Sequence, residues 1–279
     1  MHTLPDRIEL KSDEQILIMR EAGLVVARAL AAMTDAVAPG VTTAALDEIA
    51  RSILADAGAT SNFLNYDIGS GPYPAVICAS VNDRVVHGIP SRSEKLVDGD
   101  VISIDFGAIV EGWHGDAAVT VCVGETDAQA RAMSEACRES LWAGIAAARV
   151  GGRLGDISNA VETSIRKAGS YGIVAGYGGH GIGSQMHMDP HILNYGRKGK
   201  GPRLVKGMAL AIEPMITLGG RGTQELSDGW TVSTADGSIA AHWEHTVAIL
   251  ADGLWVLTAE DGGRAELERR GVSVSALAA

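Results

Sequence analysis

A chain of 279 residues is long enough to bury a substantial core, as one large domain or two of ordinary size. Its 23 Lys+Arg against 34 Asp+Glu leave a net charge of −11 with no basic cluster, which excludes a phosphate-backbone footprint, so nucleic acid is not an expected partner. The N-terminus has no apolar signal segment and no apolar run approaches the ~20 residues that span a bilayer, while Cys78, Cys122 and Cys137 form neither a C-x-x-C pair nor an even disulfide framework. A reducing cytoplasm without membrane contact is the expected setting.

Ser12 with Gln15 reads as the capping box of a first helix, which Pro39-Gly40 ends. Thr43 is expected to cap a second helix, where Leu46, Ile49, Ala50, Ile53 and Leu54 form an apolar stripe and Gly58 closes it. Residues 62–74 read as a loop, and 75–86 as strand and turn leading into His87-Gly88-Ile89-Pro90. Residues 96–121 then read as two β-branched strands joined by a turn at Glu111-Gly112. That hairpin brings Asp105 and Asp116 nearly opposite each other within an apolar wall. Either each acid is bonded to backbone amides, or the two share a proton or a cation.

The second half repeats the first. Thr126 with Gln129 resembles a second capping box, and Ile157, Ala160, Val161, Ser164 and Ile165 match the earlier stripe at a constant offset of 111. His187 matches His87 at an offset of 100, and LVKGMALAIE matches LVDGDVISID at an offset of 108, so that Glu213 falls on Asp105. Glu244, heading the apolar run 246–250, takes the place of Asp116. We therefore expect an α+β chain built by duplication, with two antiparallel sheet halves related by a pseudo-two-fold and helices on one outer face. The expected boundaries are an N-terminal tail at 1–11, one domain at 12–258 with halves at about 12–123 and 126–258, and a C-terminal tail at 259–279.

Asp105, Asp116, Glu213 and Glu244 thus converge, and four carboxylates in one apolar pocket must be mostly protonated or hold divalent cations. A carboxylate-rich site with one imidazole suits Mn, Fe, Co or Zn. His180 is the candidate imidazole because glycines surround it in GYGGHGIG. His87 and His187 are expected above the same pocket. His114 shares strand parity with Asp116 and His242 shares it with Glu244, whereas His245 should point to the opposite face. Nothing argues for His2 or His191. Phe63, Tyr66, Tyr73, Met186 and Trp230 could line an apolar subsite or belong to the core. No G-x-S-x-G or cysteine motif supplies a nucleophile, and GYGGHG lacks the βαβ context of a dinucleotide site.

The stretches VNDRVVHGIP, ISIDFGAIVEGWHGDAAVT, YGGHGIGSQMHMDP, LAIEPM and DGWTVSTADGSIAAHWEHTVA closely resemble the type I methionine aminopeptidases, over about residues 12–257. The resemblance implies the pita-bread fold and removal of the initiator methionine from nascent polypeptides with a small second residue, through a metal-bridging hydroxide. It implies two divalent ions (Co, Mn, Fe or Zn), one chelated by Asp105, both bridged by Asp116 and Glu244, and the second completed by His180 and Glu213. By similarity Glu213 helps deprotonate the attacking water, His87 contacts the substrate near the scissile amide, and His187 stabilises the oxyanion. Phe63, Tyr66, Tyr73, Cys78, Met186 and Trp230 are implied as the substrate pocket. Nascent chains, with the ribosome as a further partner, and a monomeric state are also implied, and Met1 would be retained ahead of the bulky His2. A relative of aminopeptidase P or prolidase is the alternative, since it shares the five ligands. This chain departs from the pattern where Met186 replaces an aromatic residue, where His242 stands in place of a frequent Gln, and in a longer 66–73 loop.

Overall fold

The computed structural model describes residues 8–278. In chain order its elements are α1 (Asp13–Ala36), α2 (Thr43–Ala57), β1 (Thr60–Ser61), β2 (Ile77–Val81), β3 (Arg84–Val86), β4 (Val101–Val110) and β5 (Trp113–Cys122). The second half adds α3 (Ala128–Ala147), α4 (Leu154–Ala168), β6 (Gly172–Ile173), β7 (Gly178–Gly181), β8 (Met188–Leu193), β9 (Ala209–Ile212), β10 (Met215–Thr217), β11 (Thr223–Glu225), β12 (Val232–Thr234), β13 (Ala240–His242), β14 (Glu244–Ile249), β15 (Leu254–Val256) and α5 (Arg264–Arg269). The main sheet runs β1-β4-β5-β14-β9-β7-β8, and the seam between the halves is the antiparallel pair β5–β14.

Strand parity separates the core from the site. In β4, Ile102, Ile104 and Phe106 point into a cluster with Val26, Leu30 and Met33 of α1 and Leu46 and Leu54 of α2. In the second half Leu210, Ile212, Val247 and Ile249 pack with Leu141 and Ile145 of α3 and Ile157, Val161 and Ile165 of α4. Asp105, Glu213 and Glu244 carry the opposite parity, so the helices cover one face and the acids project from the other. The α+β, duplicated plan therefore stands.

Local chemistry explains most boundaries. The Ser12–Gln15 capping box starts α1, with Ser12 N donating to Gln15 Oε1 and Gln15 N donating to Ser12 Oγ. Two cap assignments shift by one residue. Thr42 rather than Thr43 caps α2, because the Thr43 hydroxyl is engaged with Ser91; Asp127 rather than Thr126 caps α3, because the Thr126 hydroxyl donates to Asp100 O. The β4–β5 turn has both Glu111 (φ 49°) and Gly112 (φ 80°) in the left-handed region, as a tight hairpin turn of matching twist requires.

The segment expected as a C-terminal tail from 259 folds back onto the domain. Leu267 and Val272 are buried in the second-half core, Val274 bridges Leu254, and Arg269 at the end of α5 and Arg270 just after it pair with Glu139 of α3. Apolar residues this sparse leave no clear periodicity, which is why the sequence reads as a tail. At the other end residues 1–7, with Met1 and His2, lie outside the described residues, while Lys11 N donates to Gly207 O and Glu9 accepts from Ser184.

Candidate active site

The open face of the sheet carries a cleft lined by Phe63, Tyr66, Tyr73, Cys78, His87, Asp105, Asp116, His180, Met186, His187, Glu213, Trp230, His242 and Glu244, joined by Ile68 and Val86. Every residue expected at the site therefore reaches one pocket. Its floor comes from the two sheet halves. Asp105 on β4 faces Cys78 on β2 and Ala118 on β5, and Asp116 lies across from Gly107. Gly107 is required there, because a Cβ would stand 2.2 Å from Asn62 Nδ2, and Asn62 donates to Gly115 O beside Asp116. In the second half Ile212 faces His245 and Met215 faces His242, so Glu213 lies across from Glu244.

This register corrects the counterpart of Glu244. If Glu213 repeats Asp105, the residue opposite it, Glu244, repeats Ala118, and His242 repeats Asp116. Two threonines bear this out across the seam. Thr246 Oγ1 accepts from Asp116 N and donates to Asp116 O, and Thr120 Oγ1 likewise accepts from His242 N and donates to His242 O. A two-residue displacement keeps strand parity, so Glu244 still faces the site.

Among the described residues two trios of donor atoms lie close enough to hold a cation, Asp116 with His180 and Glu244, and Glu213 with His242 and the same Glu244, all five residues buried. Asp105 lines the same cavity but stands outside both trios. Burial drives the carboxyls toward the neutral form: Asp116 rises to about 7 despite hydrogen bonds from Asp105, Ala117 N and Asn62. Asp105, Glu213 and Glu244 are also raised well above the usual carboxylate range, first by burial and then by the charge of Asp116. Burial lowers His180 and His242 to about 3. The 3.3 Å approach of His180 Nε2 to Glu213 Oε1 has the distance of an ion pair. Burial disfavours the charged form of both partners, so the contact is not a strong ion pair, and both atoms are of the kind that ligate a divalent cation. Asp105 Oδ1, Asp116 Oδ1, His242 Nε2 and Glu244 Oε1 are buried without a hydrogen-bond partner, and such orphans are what a coordinated ion satisfies. Carboxylates with neutral imidazole form a donor set that fits a divalent metal.

The walls are apolar and aromatic. Tyr73 packs edge-on to Trp230 at 5.1 Å and to Phe63 at 6.5 Å, and its hydroxyl is shared between Ile77 O and Gly88 O, each at 3.0 Å. Asp228 fixes the Trp230 turn by accepting from Trp230 N and Thr231 N. His187 stands edge-on to His180 at 4.5 Å, with Nδ1 2.8 Å from Tyr66 Oη. It keeps solvent access yet is ringed by protein, and the lost solvation lowers its pKa. His87 is held at φ 60°, a left-handed conformation uncommon for a non-glycine residue and typical of functional positions, and burial takes it to about 4.

Parity sorts His242 and His245 as expected, but not His114. His245 points away, packing on Trp142 and bonding Thr258. His114 is outside the cavity lining, its Nδ1 buried and unpartnered. His242 joins a donor trio, for which strand parity was the only sequence signal. Ile68 and Val86 had none, since an apolar residue in a loop or strand does not announce which wall it completes.

A pita-bread sheet with a buried carboxylate–imidazole floor and an aromatic-walled cleft defines a metal-dependent peptidase. Residues 18–251 match the family model described as metallopeptidase family M24. The chain is 57% identical over 253 residues to "Methionine aminopeptidase 1" of Mycobacterium tuberculosis, covering 89% of this chain and 94% of that one. A solved methionine aminopeptidase from Thermotoga maritima superposes with TM-score 0.87 at 39% identity, covering 91% of this chain and 100% of that one. The prolidase of Pyrococcus furiosus shares the fold alone, with TM-score 0.71, 22% identity and 90% of this chain against 65% of its own. The chain belongs to metallopeptidase family M24 and, within it, to the methionine aminopeptidases.

Proposed function

We propose that this chain is a methionyl aminopeptidase that removes the initiator methionine from nascent polypeptides whose second residue is small. The observation that carries the reading is the convergence of Asp105, Asp116, His180, Glu213 and Glu244 beneath an apolar pocket flanked by His87 and His187. These five residues would hold two divalent ions, which when bound supply an activated water and polarise the scissile carbonyl.

The remaining roles follow from the chain's own groups. Phe63, Tyr66, Tyr73, Cys78, Met186 and Trp230 form an apolar cluster that would receive the methionine side chain; Met186 is a flexible wall that still excludes water. Glu213 would accept the proton of the attacking water. Burial raises the pKa of Tyr66, so its hydroxyl stays protonated and would donate to His187 Nδ1 in the tautomer that carries its proton on Nε2. His187 then keeps its proton on Nε2, where it can donate to the developing oxyanion, a type of contact worth about 3–4 kcal/mol. His87, neutral at physiological pH and fixed beside Trp230, would bond the scissile amide.

The enzyme would act as a monomer in the cytoplasm near the ribosome; no helix among the described residues is long and apolar enough to cross a membrane. The decisive assay compares release of methionine from Met-Ala-Ser with cleavage of X-Pro peptides in Mn(II) or Co(II). Methionine release without X-Pro cleavage is expected. Folded protein that releases no methionine with any divalent ion would sink the proposal.

A further inference from the structure

Within the donor trios, His242 is the residue that the five-ligand description leaves unexplained. Its side chain is almost wholly enclosed, with Nε2 lacking any hydrogen-bond partner. Leaving such a group unsatisfied is costly, so an orphan in this position calls for a cause. The ring is aimed by the strand, because Thr120 holds both the N–H and the carbonyl of His242. By register this is the place in the second half that Asp116 holds in the first.

The distances decide what the ring meets. Nε2 lies 3.5 Å from Glu213 Oε2 and 3.8 Å from Glu244 Oε2, beyond good hydrogen-bond range. Donors bound to one ion at about 2.0–2.2 Å are separated by roughly 3–3.6 Å, so a small closure around a cation satisfies all three. The two oxygens of Glu213 thus face two imidazoles, Oε1 toward His180 and Oε2 toward His242.

We propose that His242 is a sixth protein ligand of the metal centre, binding through Nε2 on the Glu213–Glu244 side. The inference rests on the metallo-aminopeptidase reading above. A second imidazole makes the site softer than five ligands alone and shifts its preference toward Zn, Co and Fe over Mn.

The test uses full-length protein with 15N-labelled histidine, saturated with Zn(II), in which long-range proton–nitrogen spectra identify metal-bound ring nitrogens. Two zinc-bound imidazole nitrogens are expected in the parent, one in His242→Gln and one in His180→Gln, with at least a tenfold loss of affinity for one ion in His242→Gln by chelator competition. Because Thr120 grips only the backbone, His242→Gln keeps that strand contact, and melting in chelator verifies its fold. A parent with a single zinc-bound imidazole nitrogen overturns the proposal, even if His242→Gln binds metal more weakly, since that pattern belongs to a residue that merely positions Glu213. A parent that binds no zinc and releases no methionine overturns the aminopeptidase reading, and this one with it.

Discussion

The two halves of the sheet deliver their ligands by different routes. The first half places Asp105 and Asp116 on one hairpin, where ten consecutive pairs between Val101 and Cys122 fix their spacing through a turn at Glu111-Gly112. The second half gathers His180, Glu213, His242 and Glu244 from β7, the β9–β10 junction, β13 and β14, whose pairings join residues far apart in the chain. A tight hairpin closes a short loop at little entropic cost, whereas each second-half pairing closes a long one. The difference teaches that the first half acts as a template, and that the seam between β5 and β14 brings the other donors up to it.

Asp116→Asn on the template side and Glu244→Gln on the assembled side should break the site most severely. Each amide keeps the shape but cannot bridge cations, so methionine release from Met-Ala-Ser should fall by ~10³-fold or more, about 4 kcal/mol of transition-state stabilisation. The fold should survive, because removing one of four mutually repelling buried carboxyls relieves the protein when no cation is present. Melting in chelator should match or exceed that of the parent. Activity within tenfold of the parent in either variant would remove that residue from the metal floor.

Chelation alone gives the next largest effect and depends on pH. Asp105, Asp116, Glu213 and Glu244 have raised folded-state pKa values, with Asp116 at about 7. Between the unfolded carboxylate range near ~4 and that value the folded chain holds protons that the unfolded chain has released, so stability falls as pH rises. In chelator the melting temperature should decline from pH 5 to pH 8, and added Mn(II) should raise it more at pH 8 than at pH 5. A flat profile in chelator would mean that the four acids are not confined together. Asp105→Asn and Glu213→Gln should each remove part of the decline, which apportions it between the halves.

How much could be read in advance follows the same division. Asp105, Asp116 and their turn were legible because a hairpin writes its register in adjacent residues. Glu213 was legible because LVKGMALAIE repeats LVDGDVISID. The counterpart of Glu244 was misjudged by two residues, since its register is set by strands β5 and β9 far away in sequence, and parity alone cannot detect an even shift. Parity placed His242 on the face of Glu244, but its equivalence to Asp116 depends on that same distant register. The capping residues at Thr42 and Asp127 were missed because neighbouring hydroxyls have tertiary partners, Ser91 and Asp100, that no local pattern discloses. The packing of Leu267 and Val272 was invisible because so few apolar residues mark it.

The smallest effect sharpens the comparison most, because it tests the seam itself. Thr246 and Thr120 each hold the backbone N–H and carbonyl of the residue across from them, Asp116 and His242 respectively. Valine matches threonine in shape but leaves Asp116 N and O unpaired in Thr246→Val and His242 O unpaired in Thr120→Val, where Ser103 Oγ still accepts from His242 N, so each variant should cost about 1–3 kcal/mol, read as a melting shift of roughly 2–4 °C per kcal/mol. If the two ties are true counterparts, Thr246→Val should cost more in chelator than Thr120→Val by about the one bond that Ser103 retains, on the order of 1 kcal/mol. Metal should then separate them. Thr246→Val loosens a carboxylate on the template strand, and Thr120→Val loosens the imidazole on the assembled strand. The first should weaken binding of every divalent ion tested, and the second should weaken Zn(II) and Co(II) more than Mn(II), because the softer donor is the one displaced. Equal losses across all three metals in both variants would show the seam to be a structural hinge alone, with no distinction between the donors it sets in place.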